Sequence, residues 1–279
     1  MIRKNKYIHY LKNFENFLKE DEKSRITIEK YLRDVKKFIY YLDDRQIDKE
    51  LTIKYKEDLY KQYAVASVNS MLVAVNNFLK FIGKHECCVK LLKIQRQIFL
   101  PQEKELSRKE YQRLIKAAGN NRLSLIIQTI CCTGIRVSEL RYITVEAVTI
   151  GKSVVNCKNK TRIIFIPALL QKILKNYIKK SGIKTGSVFV SRNNKPLDRS
   201  NIWREMKSLC TRANVSPKKV CPHNLRHLFA RTFYSVEKDI VKLADLLGHS
   251  SINTTRIYTM DSGYQHIMRL ERVQTLLTT

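Results

Sequence analysis

Turn-forming residues are scarce at the start of this chain: no proline precedes Pro101, and Gly83 is the only glycine before it. A stretch of that length with so few helix breakers predicts a compact, all-helical module. Long apolar runs are missing as well. Nowhere do about 18 apolar residues follow one another, and the polar, basic N-terminus has no apolar leader core, so neither membrane insertion nor secretion is expected. The seven cysteines form no C-x-x-C ladder: Cys87 and Cys88 are adjacent, Cys131 and Cys132 are adjacent, and the rest are scattered. That excludes a disulfide framework and predicts a reduced, cytoplasmic chain. There is no glycine-rich phosphate loop, internal repeat or low-complexity tract. Acidic residues are the largest deficit, with 25 Asp and Glu against 53 Lys and Arg, a formal charge of +28 and a pI near 9.9. The imbalance is uneven. Residues 1–100 hold 21 basic and 13 acidic side chains, which leaves 32 against 12 for the remainder. A field of that sign calls for a polyanion, with nucleic acid the default over a ribosomal or membrane-surface partner.

What is present is mostly helical pattern. Tyr7, Leu11, Phe14, Phe17 and Leu18 keep a helical period, as do Ile28, Tyr31, Leu32, Val35, Phe38, Ile39 and Leu42, and a third such stretch runs from Val65 to Phe81. Ser24 and Thr27 are N-cap candidates ahead of Ile28. Near residue 90 basic and apolar residues mix without period, so 91–105 reads as a linker between a helical domain at 1–90 and a second domain at 106–279. Ser107 and Glu110 have capping-box spacing and open a helix carrying Tyr111, Leu114 and Ile115. Next come β-branched runs at Val148–Ile150, Ser153–Val155 and Arg162–Ile166, which predict a small antiparallel sheet at about 147–167. Beyond Pro167 helices dominate, apart from a short Ser187–Val190 segment. The fold class is mainly α, in two domains, with a small antiparallel β-sheet in the second.

Residues able to do chemistry gather in that second domain. Arg136 follows Thr133, Gly134 and Ile135, a small and apolar lead-in that predicts a buried helix start near Gly134, and Glu139 lies one turn later. An isolated Arg–Glu pair at this spacing is usually a surface ion pair of little consequence. His223 and Arg226 stand at i and i+3 just after Pro222, a helix-starting residue, and so share one face. His227, at i+4 from His223, is assigned to the core beside Leu228 and Phe229. Zinc is not indicated, because Asn224 stands where a zinc-protease helix places Glu and no third ligand follows at a recognisable spacing. Gly248 stops a helix at Ile240–Leu247, His249 follows it, and Ser250 or Ser251 can cap the next turn. Tyr258 comes nine residues after His249. Lys158 and Lys160 sit at the predicted hairpin tip, four and two residues before Arg162.

Taken in this order, Arg136, the hairpin lysine, His223, Arg226, His249 and Tyr258 resemble the tyrosine recombinases, the family of phage integrases and Xer-type resolvases. A phosphodiester under attack gathers negative charge on its non-bridging oxygens, which Arg forks and imidazoles can hold. The resemblance implies that Arg136 clamps the scissile phosphate with Glu139 in support, and that His223, Arg226 and His249 complete the clamp. It makes Tyr258 the nucleophile, ahead of the nearby Tyr264, and a hairpin lysine the proton donor to the departing 5′ oxygen. The family's glycine-flanked Lys five residues before the Arg is replaced here by Cys157, so the match is imperfect; Lys158 is preferred to Lys160, with a solvated basic turn touching backbone phosphate the alternative for either. The N-terminal helices then resemble the family's SAM-like, core-type DNA-binding domain. No cofactor and no metal are implied. The implied partners are double-stranded DNA recombination sites, a homo-tetramer on paired sites and accessory DNA-bending or directionality factors, with no membrane. The phosphotyrosine would be a 3′ one, and exchange would pass through a Holliday junction. With no arm-binding domain ahead of the helical module, a simple Xer-like machine is expected. Two other readings stay open: DNA relaxation like that of type IB topoisomerases, and a catalytically silent DNA-binding regulator.

Overall fold

The computed structural model describes residues 7–93, 105–157, 160–191, 193–249 and 251–258. It divides into two compact units, Met1–Arg96 and Gln97–Thr279. The first is a helical bundle of α1 (Tyr10–Glu20), α2 (Arg25–Leu42), α3 (Lys49–Gln62) and α4 (Val65–Phe81). Ser24 caps α2 through the Thr27 N–H, and Asp48 caps α3 through the Leu51 N–H at 2.7 Å. Phe14, Phe38, Phe78, Ile39 and Leu72 are among its fully buried side chains, and the Phe14 and Phe78 rings meet edge to face. After a 3-10 helix at His85–Cys87 the chain runs back along α4, held by two side-chain amides. Asn76 exchanges both hydrogen bonds with the Val89 backbone, and Asn69, two turns earlier, does the same with Leu92.

The second unit opens with α5 (Arg108–Ala118), whose Ser107–Glu110 capping box is fully formed, and α6 (Arg122–Thr133). A 3-10 helix (Val137–Tyr142), α7 (Val145–Ile150), strands β1 (Lys152–Cys157) and β2 (Lys160–Phe165), and α8 (Ala168–Ser181) follow. The strands pair antiparallel, with Val154 opposite Ile163. Val148–Ile150, read from sequence as a strand, is the last turn of α7. Thr144 accepts from the Ala147 N–H, and Gly151 closes the helix at φ +84°, so the two ends override the β-branched preference. Ser187–Val190 forms only isolated bridges around the buried Val188 and Phe189. The remaining helices are α9 (Arg199–Ser208), α10 (Cys210–Ala213), α11 (Pro222–Glu237), α12 (Ile240–Leu247) and α13 (Ile252–Thr255), which runs into a 3-10 turn at Arg256–Tyr258. Helices α6 and α11 pack together at the centre of this unit. Among the described residues no helix is long and apolar enough to cross a membrane.

Candidate active site

Three chain turns converge where α6, α11 and α12 meet. Gly134 ends α6 at φ +63°, and a Cβ there would meet the Phe229 ring of α11 at 2.5 Å, so glycine serves both the turn and the close helix contact. The helix start expected near Gly134 is therefore a helix end. Arg136 is the N-cap of the 3-10 helix that follows, and Glu139 reaches back to it twice: its carboxylate accepts the Arg136 backbone N–H at 3.0 Å and Nη1 at 2.9 Å. Glu139 is 1% exposed. The Arg136 side chain is 40% exposed, so its guanidinium is steered from beneath and still faces solvent.

Arg226 enters from the first turn of α11, which Pro222 opens. It is buried at 4% exposure, and its guanidinium donates to Gly134 O, to Leu247 O at 2.6 Å and to His249 Nε2 at 3.1 Å. One side chain thus ties the end of α6 to the end of α12. Because a guanidinium only donates, His249 Nε2 must accept, and the proton sits on Nδ1, which donates to Thr255 Oγ1 at 2.9 Å. Gly248 closes α12 at φ +63° and aims His249 inward. Tyr258 is 5% exposed, lies parallel to the His249 ring with centroids 5.9 Å apart, and interacts electrostatically with Arg226. Arg136 Nη2 approaches the same turn, donating to Gly248 O at 3.3 Å.

A sequence profile of the phage integrase family matches residues 104–263, more than half of the chain, and one of the phage integrase N-terminal SAM-like domain matches 11–85. The chain belongs to the phage integrase family, the tyrosine recombinases. Among relatives of that family, the tyrosine recombinase XerA of Pyrococcus furiosus is 30% identical over 260 residues, covering 89% of this chain and 88% of its own. XerD of Halalkalibacterium halodurans is 29% identical, covering 89% and 92%. A crystal structure of XerA recombinase is similar at TM-score 0.53 and 28% identity, spanning 97% of this chain and 99% of that one. A lambda integrase dimer bound to a COC′ core site has the same fold at TM-score 0.74 and 19% identity, spanning 91% and 95%.

Within this integrase-family site, one residue departs from its sequence assignment. His227 is not a core residue. It is half-buried, its ring and that of Tyr258 meet edge to face with centroids 4.5 Å apart, and its Nε2 lies 2.8 Å from His223 Nε2. One of these nitrogens carries the shared proton and the other accepts it, so the two imidazoles are opposite tautomers when neutral. The exposed His223 therefore connects to Tyr258 through His227. Arg162 is the participant that sequence reasoning passed over, since it was used only to count back to the lysines. It leaves β2 to donate to Leu246 O at 2.8 Å and to Glu139, 84 and 23 residues away in sequence. Local spacing carries no trace of such partners. Lys158 lies outside the described residues, and of Lys160 only the backbone place at the start of β2 is described.

Burial and neighbouring cations set the charge of the pocket. Burial, then His223, Arg231, Arg226 and His249, depresses His227 from its ordinary 6.5 to about 4. His249 falls to about 4 through burial, then Arg226, Arg136, Arg162 and His223, while burial and Arg226 also lower His223. Burial works to raise Glu139, but the Arg136 N–H and the Arg162 and Arg136 guanidinium groups outweigh it and hold the carboxylate ionised. Histidines kept neutral in the fold bind protons more readily once unfolded, so stability rises with pH across the window from about 4 to 6.5. The thermal midpoint is expected to fall steadily as pH drops through that window, before most carboxylates titrate. His249→Gln should flatten part of the slope; an unchanged slope in both His249→Gln and His227→Gln would show that neither imidazole is held neutral.

Proposed function

We propose that this chain is a site-specific DNA recombinase that cuts and rejoins strands through a 3′-phosphotyrosine. In this reading the Tyr258 oxygen attacks phosphorus in line, forming a Tyr–O–P bond as the P–O5′ bond breaks. Arg136, Arg226, His223 and His249 hold the charge that develops on the non-bridging oxygens, with Glu139 supporting Arg136. A hairpin lysine, Lys158 or Lys160, protonates the departing 5′ oxygen. One phosphoester replaces another, so the step is reversible by a 5′-hydroxyl and needs no nucleotide hydrolysis. Exchange then proceeds through a Holliday junction in a homo-tetramer on paired double-stranded sites; a lambda integrase tetramer bound to such a junction is among the structures of the same fold. The two-domain plan, a core-type DNA-binding domain at 1–90, a linker at 91–105 and a catalytic domain at 106–279, belongs to the same proposal.

The observation that carries this reading is the Tyr258 ring lying parallel to His249, whose Nε2 accepts from the Arg226 guanidinium, with Arg136 one residue away at Gly248 O. That is a phenol beside fixed cationic donors. The test is a duplex nicked next to the scissile phosphate, which traps the protein when the short 5′ fragment diffuses off. A covalent product joined through a 3′ phosphate, formed in EDTA as well as without it, is expected. Lys158→Ala should slow it by about 10²- to 10⁴-fold, Lys160→Ala by less, and a 5′-bridging phosphorothiolate should restore the rate, because a thiolate leaves unprotonated. No covalent product would end the proposal, and supercoil relaxation without junctions would redirect it to topoisomerase chemistry.

A further inference from the structure

Arg162 occupies a costly position. Its side chain is 11% exposed, its Nε is buried without a hydrogen-bond partner, and the carboxylate it meets, Glu139, is already engaged twice by Arg136. One buried carboxylate serves two guanidinium groups. Replacing every member of such an ion cluster with apolar side chains of similar volume is commonly neutral or stabilising, so stability alone does not account for its presence. Its contacts converge on one place. Nη1 donates to Leu246 O in the last turn of α12, and the stem lies against the next turn so closely that a Cβ on Gly248 would come within 2.4 Å of Arg162 Cδ. Arg136, the other guanidinium on Glu139, reaches the carbonyl of that same Gly248.

We propose that Arg162 is a positioning residue that fixes Arg136 and His249 relative to each other without meeting DNA itself. Its fork spans the two supports of the phosphate pocket: Glu139, which aims Arg136, and the α12 terminus, which aims His249. Strand β2 supplies the rigid base for that fork. The inference rests on the phosphotyrosine reading, in which Arg136 and His249 both face the scissile phosphate.

The experiment compares Arg162→Met and Arg162→Lys with the unaltered full chain on the nicked duplex, measuring thermal midpoint, site binding and the first-order rate of covalent capture. For Arg162→Met, which leaves Glu139 paired with Arg136 alone, the expected result is a lowered thermal midpoint but, well below it, site binding within about threefold and capture slowed about 10²-fold, the scale of a misplacement near 1 Å. Arg162→Lys, which retains a cation for Leu246 O or Glu139, should recover about tenfold of that loss. A 5′-bridging phosphorothiolate should rescue the lysine variants of the hairpin and leave the Arg162→Met defect in place. Capture at the original rate overturns the proposal, as does a loss of capture matched by an equal loss of site binding, which would make Arg162 merely structural. Rescue by the phosphorothiolate overturns it too, because Arg162 would then act through the hairpin lysine. Failure of the unaltered protein to capture DNA would instead remove the phosphotyrosine reading itself.

Discussion

Tyr258→Phe is expected to abolish covalent capture of DNA while leaving specific binding within about twofold. The tyrosine ring is 5% exposed, between the edge of His227 and the parallel His249 ring, and phenylalanine keeps that packing. What leaves is one oxygen and its electrostatic interaction with Arg226. Loss of such a polar interaction costs on the order of 1 kcal/mol of stability, too little to unfold a domain, whereas the nucleophile is lost outright. The nicked duplex gives the readout on a denaturing gel beside a native gel for binding. Covalent product from the variant would refute the assignment and move it to Tyr264, which lies outside the described residues.

The second large effect is expected at Glu139. Substituting alanine strips from two guanidinium groups, Arg136 and the nearly buried Arg162, the only carboxylate that pairs with them among the described residues. Removing one partner from a buried ion cluster typically costs about 3–5 kcal/mol, because the remaining charge has neither water nor counterion. For a unit of this size that corresponds to a fall in thermal midpoint of roughly 10 °C. Capture should fall with it, since the Arg136 backbone N–H and Nη1 both lose their acceptor. Glu139→Gln, which keeps an acceptor oxygen but no charge, should lie between. A Glu139→Ala protein with the original midpoint would show that the two arginines find other partners or water, and would undo the electrostatic account of the pocket.

Much of this architecture could be read in the chain because it is locally encoded. Ser24, Ser107 and Ser251 cap the helices their spacing announces, and α12 runs from Ile240 to Leu247 with Gly248 as its stop, as the pattern predicts. Helix α3 was not picked out as a separate element, because its apolar stripe of Leu51, Tyr55 and Leu59 is diluted by lysines and glutamates, although Asp48 marks its start. The end of α7 was misread since β-branched residues in a short run obey their caps, not their propensity. The site divides along the same line. Arg136 with Glu139, and His223 with Arg226, are neighbours in sequence and were legible as pairs. Arg162 on Leu246, Arg226 on Gly134 and His227 against Tyr258 are contacts across 31 to 92 residues, fixed only when α6, α11 and α12 close together.

The guanidinium groups of Arg136 and Arg162 share the Glu139 carboxylate, and burial together with these two cations lowers the neighbouring Arg226 to about 10. Whatever anion enters is therefore drawn in by charges that repel one another. Any ligand at free concentration c that binds only the folded state adds RT ln(1 + c/Kd) to its stability, so under the proposed function a DNA phosphate would act as a thermodynamic keystone for this corner of the molecule. The same repulsion sets a trade-off: a variant that relieves it by deleting one of these cations would, under the proposed function, hold its phosphate less tightly.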